Sequence, residues 1–349
     1  HFVILVIGFI LMYSVHKIPF HYFKGISILM LPVAIVLLIY TASQGTLIDG
    51  ANASRWVKIP LIGLSFQTST LAAVVLMVFT ATHLSKPDLR SIKFSKSLIQ
   101  LWLPVFTVVL LIFPSNLSTA ALLFAMVIIL AFIAHYPLRY LMTICGTGLT
   151  FVLLFFLLVK AFPGTFPNRI DTWVSRIENF RSGQSDDGNY QVARAKTAIV
   201  SGKVFGLGAG KSRMKNFLPQ SSSDFIYAII VEEFGLVGGI GLILLYLLLL
   251  FRIVVITHNT SNLFGKLMVI GLGIPIIFQA FINIGVALQV IPVTGQNLPM
   301  ISSGGTSAWM TCIAMGIILS VSVKRERSAE IQGKEGISSN PISIFSESH

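Results

Sequence analysis

The chain has 349 residues, of which 54% are hydrophobic and only 11% are charged, and its mean hydropathy is +0.84. Soluble globular proteins carry about 25% charged residues, so this composition excludes a soluble protein of this length. A formal net charge of +12 is also found in nucleic-acid-binding proteins. Here, however, part of it lies in short loops that set membrane orientation, and no nucleic acid is expected as a partner.

Nine apolar runs follow one another along the chain, each about as long as a helix that crosses a bilayer. They predict helices at residues 2–15, 25–43, 66–84, 97–113, 117–134, 138–161, 225–255, 266–291 and 301–323. No alternating strand pattern accompanies them, so the predicted fold is an all-α polytopic membrane protein. The first run is short and begins at once, which leads us to expect a further helix upstream.

The positive charges of the short loops predict the orientation. If the nine helices alternate in direction, the short basic loops share one side with Lys324 and Arg325 after the last helix. Positive residues concentrate in the cytoplasm, so the C-terminus is predicted inside and His1 outside. A long loop, residues 163–223, then lies outside. The predicted domains are a membrane domain (1–323) and a disordered cytoplasmic tail (324–349).

Between Asn189 and Gly239 a polar loop runs directly into an apolar helix that carries acids. Asp224 precedes this helix after three serines, and Glu232 and Glu233 lie within it. Ionisable groups at membrane depth are functional candidates because they are costly there. Asp224 is also typical of a helix N-cap. Glu232 lies about 80° around the helix from Asp224 and could share a cavity with it. Alternatively, one or both glutamates pair with basic side chains or loop amides and hold the loop in place.

Several basic residues are candidate ligands for a phosphate group. Lys211, Arg213 and Lys215 follow the glycines of residues 206–210, and phosphate oxygens favour charge-assisted donors. Lys211 and Ser212 follow these glycines without the spacing of a nucleotide-binding loop, and no predicted strand precedes them, so nucleotide binding is not predicted. Arg55 lies beside Trp56, and from this local sequence alone an interfacial anchor is as good an interpretation as a substrate ligand.

Residues 292–307 contain two prolines and three glycines and are predicted to be non-helical. At a membrane edge such backbone persists only where it is buried or lines a cavity. Cys145 and Cys312 both lie in apolar runs, and the histidines show no ligand spacing. Neither a disulfide nor a metal site is therefore predicted.

A series of short motifs resembles one family of membrane proteins. In chain order these are NASRW at residues 52–56, GLSFQTSTLA at 63–72, LSTA at 117–120, FGLGAG at 205–210, LPQSSSDFIYAIIVEEFG from residue 218 and FINIGVALQVIPVTGQNLPMISSGGTS from residue 281. The chain resembles the SEDS family of bacterial shape, elongation, division and sporulation proteins, and is most similar to its cell-division branch. The resemblance implies a bundle of ten transmembrane helices, a large outer loop and polymerisation of lipid II into glycan strands.

The resemblance also implies roles for individual residues. Asp224 matches the aspartate considered catalytic in the family. Substrate binding is implied for Arg55, Lys211, Arg213, Lys215, Glu232 and Ser302. Several positions depart from the family pattern: Thr70 and Ala73 replace its glutamate and lysine, and Asn116 replaces an acid. Gln220 and Ser222 replace a common glutamate and histidine, and Ser303 replaces a frequent aromatic residue. Roles that depend on those family residues do not carry over to this chain.

The function implied by the resemblance is that of a peptidoglycan glycosyltransferase at the outer face of the cytoplasmic membrane, with Asp224 as general base. Its expected partners are lipid II, the growing glycan strand, membrane lipid, a class B penicillin-binding transpeptidase and other divisome proteins. No cofactor is certain, and a requirement for a divalent cation stays open. Two alternatives are a lipid II flippase that uses the same cavity and a non-catalytic division scaffold, which Ala73 and Asn116 allow.

Overall fold

The structure is a computed structural model that describes residues 2–43, 47–48, 51–52, 56–58, 65–87, 92–161, 187–218 and 222–338. The main helices in these ranges are α1 (Phe2–His16), α2 (Phe23–Ser43), α3 (Thr68–Leu84), α4 (Phe94–Ile112), α5 (Leu117–Ile133), α6 (Leu138–Ala161), α7 (Asp187–Gly202), α8 (Ile226–Asn259), α9 (Leu263–Ala287) and α10 (Gly305–Ser338). All except α7 fall on the predicted apolar runs.

Six of the described helices are long and apolar enough to cross a membrane, namely α2, α4, α6, α8, α9 and α10. The apolar helices α1, α3 and α5 are shorter, with 10–17 residues each. A chain with several such helices is a multi-pass membrane protein, because helices satisfy their backbone hydrogen bonds internally in lipid. The prediction of a helical polytopic protein is thereby confirmed.

Two short strand pairs separate α2 from α3, and the all-α prediction missed them. Strand β1 (Leu47–Ile48) pairs antiparallel with β2 (Ala51–Asn52), and β3 (Trp56–Lys58) pairs antiparallel with β4 (Ser65–Gln67). Strands of two or three residues are too short for alternation to be recognised in the sequence. Because β4 is followed directly by α3, the second pair fixes where α3 begins.

The centre of the molecule is formed by α3, α9 and α10. Most of the apolar length of α9 and α10 is buried inside the protein, and α3 buries residues along its whole length. By contrast, α6 exposes most of its apolar surface. Around the centre, α1 packs on α10, α2 on α3, and α8 on α9. The peripheral helices therefore present their apolar side chains to lipid.

Helix α8 is broken at Gly235, whose φ of 71° and ψ of −171° are not helical. The broken ends bond instead to the α7–α8 loop, which we define as residues 203–218. Four backbone hydrogen bonds connect them: Leu207 N to Glu232 O (2.9 Å), Gly208 N to Glu233 O (2.9 Å), Leu236 N to Lys203 O (2.9 Å) and Val237 N to Val204 O (3.2 Å). The loop thus satisfies peptide groups that a kinked helix would leave unpaired.

A small second core attaches α7 to the beginning of α8. It consists of eight buried apolar residues: Val192, Ala195, Ala198, Leu218, Phe225, Ala228, Ile229 and Val286. Because it joins α7, the end of the α7–α8 loop, the first turns of α8 and the end of α9, this core fixes the segment before α8 against the helix bundle.

The last helix is longer than expected. Helix α10 continues to Ser338, whereas a disordered tail was predicted from residue 324. The segment KRERSAEIQGKEG is rich in residues of high helix propensity. Hydropathy alone could not indicate this extension because the segment is polar.

Candidate functional site

Asp224 lies in the turn formed by residues 222–225, directly before α8, and is half-buried. The N-cap residue of α8 is Phe225, whose own side chain makes no capping hydrogen bond. Asp224 is therefore not the N-cap residue of α8. The local pattern of serines followed by an aspartate favours an N-cap at Asp224, whereas the catalytic role implied by the family resemblance stays a prediction.

The backbone of this turn is bonded to the α9–α10 segment, which we define as residues 288–304. Ser303 donates its backbone N–H (2.8 Å) and its hydroxyl (2.9 Å) to the carbonyl oxygen of Ser222. The Ser302 hydroxyl donates to the carbonyl oxygen of Ser223 at 2.6 Å and accepts from the backbone N–H of Leu298 at 2.7 Å. As predicted, the segment between α9 and α10 is non-helical, although residues 305–307 already belong to α10.

The third carbonyl of the turn is bonded to α9. Asn283, whose side chain is 1% exposed, donates from Nδ2 to the carbonyl oxygen of Asp224 at 2.8 Å. The same Nδ2 donates to the carbonyl oxygen of Gln296 at 2.7 Å. Gln296 in turn donates from Nε2 to Thr119 Oγ1 of α5 at 2.9 Å. Asp224, α9, the α9–α10 segment and α5 therefore form one connected polar network.

A cavity of about 120 Å³ opens beside this network, between α3, α5, α9 and α10. The α9–α10 segment contributes Gly295, Gln296 and Asn297 to its wall. A Cβ atom placed on Gly295 would lie 3.5 Å from Oδ2 of Asp224. The carboxylate is thus next to a wall residue of the cavity, although Asp224 itself is not among the lining residues.

The wall of the cavity is mostly apolar and carries polar but uncharged groups. Among the described residues that line it, none is ionisable, and the polar ones are Gln67, Ser69, Thr70, Asn116, Thr119, Gln279, Gln296, Asn297, Ser307 and Thr311. The remaining wall is apolar and includes Met77, Leu123 and Ile276. Amides and hydroxyls on an apolar surface can orient an uncharged polar group by hydrogen bonds.

Three of the positions that depart from the family pattern line this cavity. Thr70 and Ala73 come from α3, and Asn116 precedes α5. Asn116 is 5% exposed, and its Oδ1 accepts the backbone N–H of Thr119 at 3.3 Å, which caps α5. Although Asn116 is distant in sequence from Thr70 and Ala73, all three residues contribute to one surface, and none of them is charged.

Glu232 has no exposed surface, and its carboxylate is occupied by partners within the protein. It accepts hydrogen bonds from the Ser212 hydroxyl (2.5 Å) and from the backbone N–H groups of Arg213 (3.1 Å) and Met214 (3.3 Å). The Ser201 hydroxyl adds a longer contact of 3.4 Å. This arrangement supports the second of the two interpretations, in which the glutamate binds loop amides and holds the loop in place.

The predicted phosphate ligands lie on the α7–α8 loop that Glu232 holds. The side chains of Lys211, Arg213 and Lys215 are exposed, and none of them lines the cavity. Arg194 of α7 lies over the ring of Phe217, with its guanidinium carbon 5.9 Å from the centroid. Arg55 lies outside the described residues. A phosphate site on these cations stays a prediction.

Sequence reasoning missed Asn283, Gln296 and Ser303. Asn283 could have been found by the argument used for Glu232 and Glu233, that a polar side chain in an apolar helix is costly and needs partners. A buried amide at membrane depth needs hydrogen-bond partners as well. It stands in the FINIG part of a motif that was quoted as a whole. Gln296 and Ser303 lie in irregular backbone, where sequence gives no periodic signal.

Comparison with known proteins gives consistent results. A family model for FtsW/RodA/SpoVE proteins, described as cell cycle protein, matches residues 1–327. The chain is 33% identical to a probable peptidoglycan glycosyltransferase FtsW from Hydrogenovibrio crunogenus, over 92% of this chain and 81% of the relative. It is 29% identical to stage V sporulation protein E from Bacillus subtilis, over 90% of this chain and 84% of the relative.

Two solved structures are similar as well. One comes from work on the structural coordination of polymerization and crosslinking by a peptidoglycan synthase complex. Its TM-score is 0.73 at 26% sequence identity, and the match covers 93% of this chain and 88% of that chain. The other is a mutant of the rod shape determining protein RodA from Thermus thermophilus, with a TM-score of 0.64, 25% identity and coverage of 93% and 87%. Because the family model spans residues 1–327 and both sequence and fold agree with its members, the chain belongs to the FtsW/RodA/SpoVE family.

Proposed function

We propose that this chain is a peptidoglycan glycosyltransferase that polymerises lipid II at the outer face of the cytoplasmic membrane during cell division. The family and the names of its relatives support the reaction. The observation that carries the assignment of the site is the Asp224 carboxylate, which is held beside Gly295 at the wall of a polar cavity. In this proposal all nine apolar helices cross the membrane, and the C-terminus is cytoplasmic.

Asp224 acts as the general base of the reaction. It takes the proton from the 4-hydroxyl of the N-acetylglucosamine of an incoming lipid II. That oxygen forms a bond to C1 of the N-acetylmuramic acid at the end of the growing strand, and the bond from C1 to undecaprenyl pyrophosphate breaks. The leaving pyrophosphate takes the electron pair of the broken bond. Energy for the new bond is supplied by the lipid-linked substrate, so no nucleotide takes part.

The uncharged cavity and the cationic loop have different tasks. Amide and hydroxyl groups such as Gln67 and Asn297 hold the hydroxyl and acetamido groups of a sugar, which are neutral. The departing pyrophosphate gains negative charge and is stabilised by Lys211, Arg213 and Lys215 on the α7–α8 loop. Glu232 keeps these residues in place by binding the backbone of their loop.

The proposed partner is a class B penicillin-binding transpeptidase, which crosslinks the strands that this protein makes. The similar structure from a peptidoglycan synthase complex, in which polymerization and crosslinking are coordinated, supports such a pairing. Other divisome proteins complete the expected set of partners.

Reconstitution tests the proposal against its alternatives. Purified protein in liposomes, alone and with a transpeptidase partner, is supplied with lipid II, and glycan strands are separated by gel electrophoresis. Strand formation supports the enzyme. Movement of the lipid II headgroup across the bilayer without polymer would instead favour a flippase. Neither activity would favour a scaffold, which the neutral residues Thr70, Ala73 and Asn116 in the cavity would suit.

A further inference from the structure

Three consecutive backbone carbonyls, those of Ser222, Ser223 and Asp224, each accept a hydrogen bond from a side chain outside the turn. The donors are Ser303, Ser302 and Asn283, at 2.9, 2.6 and 2.8 Å. These donors belong to α9 and the α9–α10 segment, so the bonds differ from the local capping bonds that usually satisfy a helix start. The position of Asp224 is thus determined by residues from other parts of the chain.

The orientation of the Asn283 amide follows from its partners. Both groups that Nδ2 contacts, the carbonyl oxygens of Asp224 and Gln296, can only accept, so the NH₂ group must face them. The Oδ1 atom then points away, and it has no hydrogen-bond partner among the described residues. Burying an unpaired acceptor lowers stability, which a leucine of similar size would avoid. The amide is therefore explained by the two carbonyls it binds and not by packing.

We propose that Asn283, Ser302 and Ser303 form a carbonyl clamp that positions the Asp224 carboxylate for proton abstraction. The inference rests on the proposed function, in which Asp224 is the base. A rotation of the Ser223–Asp224 peptide would swing the side chain away from Gly295 and the cavity wall. Catalytic groups must be held within about 0.5 Å of their productive place, and a displacement of about 1 Å can cost roughly 10²-fold in rate.

The clamp assigns Ser302 a role different from the substrate binding implied by the family resemblance. Its side chain is only 4% exposed. Its hydroxyl uses its single proton for the carbonyl of Ser223 and accepts the N–H of Leu298. Ser302 is thus a positioning residue, because its hydroxyl is bonded within the protein both as donor and as acceptor and the side chain has almost no exposed surface for a ligand.

A double-mutant cycle tests the clamp. Asn283→Leu and Ser302→Ala are each made alone and together with Asp224→Asn, and kcat and KM for lipid II polymerisation are measured in liposomes. Each single variant is expected to lower kcat about 10–100-fold because the base is displaced. KM should change little in Ser302→Ala, whereas Asn283→Leu also removes a bond to the cavity residue Gln296 and is expected to raise KM as well. In the Asp224→Asn background neither should lower kcat further, since a base that is absent cannot be misplaced.

Gln279 provides a matched control. It lies one helical turn before Asn283 on α9, and its Nε2 donates to the carbonyl of Asn297 in the same α9–α10 segment at 3.1 Å. It lines the cavity but is not bonded to the Asp224 turn. Gln279→Leu is expected to act mainly on KM, and its effect should multiply with that of Asp224→Asn. A multiplicative effect for Asn283→Leu and Ser302→Ala as well would overturn the clamp.

Hydrogen exchange gives a second readout that does not depend on activity. In detergent, amides in peptides covering residues 222–230 should exchange at least about tenfold faster in Asn283→Leu and Ser302→Ala than in the unmodified protein, because the clamp restrains local opening. Unchanged exchange would overturn the clamp even if kcat falls. If the unmodified protein makes no polymer, the proposed function fails while exchange still decides on the clamp. Ser302→Ala removes a single oxygen and keeps the test informative if Asn283→Leu does not fold.

Discussion

Replacing Glu232 by glutamine should release the α7–α8 loop from α8. The carboxylate accepts from the Ser212 hydroxyl and from the N–H groups of Arg213 and Met214 in a fully buried position. Glutamine offers one acceptor oxygen in place of two, and its NH₂ group faces donors. At least one hydrogen bond to a charged group is lost, which corresponds to about 1.5–3 kcal/mol. The population of the open loop should therefore rise roughly 10–150-fold.

Hydrogen exchange of peptides from residues 203–218 measures this opening in detergent. Glu233→Gln is the matched control, because it removes the same charge one residue further along at a half-buried position. We expect loop exchange in the control to stay within about twofold of the unmodified protein, as for most substitutions away from a buried network. Equal exchange in Glu232→Gln and the unmodified protein, or equal acceleration in both variants, would refute the assignment of Glu232 as the anchor of the loop.

Four further outcomes are expected. Asp224→Asn should lower polymerisation about 10²–10⁴-fold at unchanged thermal stability, and near-normal polymer yield from folded protein would remove Asp224 from the mechanism. Gly206→Ala should destabilise the protein by at least about 1–2 kcal/mol in thermal unfolding, because φ is +80° and a Cβ would collide with the Glu233 carbonyl; an unchanged Tm would contradict that contact. Asn116→Ala should cost about 0.5–2 kcal/mol through loss of the α5 cap, whereas Asn116→Asp should keep it. Cysteines at Ser95 and Ser185 should differ in labelling by an impermeant reagent on cells with a breached outer membrane, and equal labelling would refute the orientation.

The positions of the helices could be predicted because each apolar run is long enough to stand out from its polar surroundings. The strand pairs before α3 could not, since pairs such as Trp56–Lys58 with Ser65–Gln67 depend on the register between strands and not on a pattern within either strand. The break at Gly235 was also hidden, because the residues on both sides of it are apolar and its replacement hydrogen bonds come from residues 203–208.

The site was predictable only in part. Asp224 could be identified because acidic residues are rare next to apolar membrane helices, and this one also lies within a recognisable motif. The residues that surround Asp224 could not be predicted, because they are distant from it in the sequence. Asn283 is 59 residues from Asp224, and Ser302 is 79 residues from its partner Ser223. Likewise, Thr70, Ala73 and Asn116 were visible as separate departures, but their convergence on one uncharged wall is a property of the packed helices.

The hydrogen bonds between the α7–α8 loop and the break in α8 also restrict how the protein is made. During synthesis the loop emerges before α8, yet its partners at Glu232, Glu233, Leu236 and Val237 exist only after α8 has been inserted. Until the loop docks, the carbonyls of Glu232 and Glu233 and the N–H groups of Leu236 and Val237 lack these partners, and unpaired peptide groups are costly beside exposed apolar side chains such as Leu236. The hydrogen bonds between the loop and the break in α8 must therefore form late in biogenesis, after α8 has been inserted. A tag or protease site inserted between residues 203 and 208 would impair membrane assembly itself, and not only the chemistry at the surface.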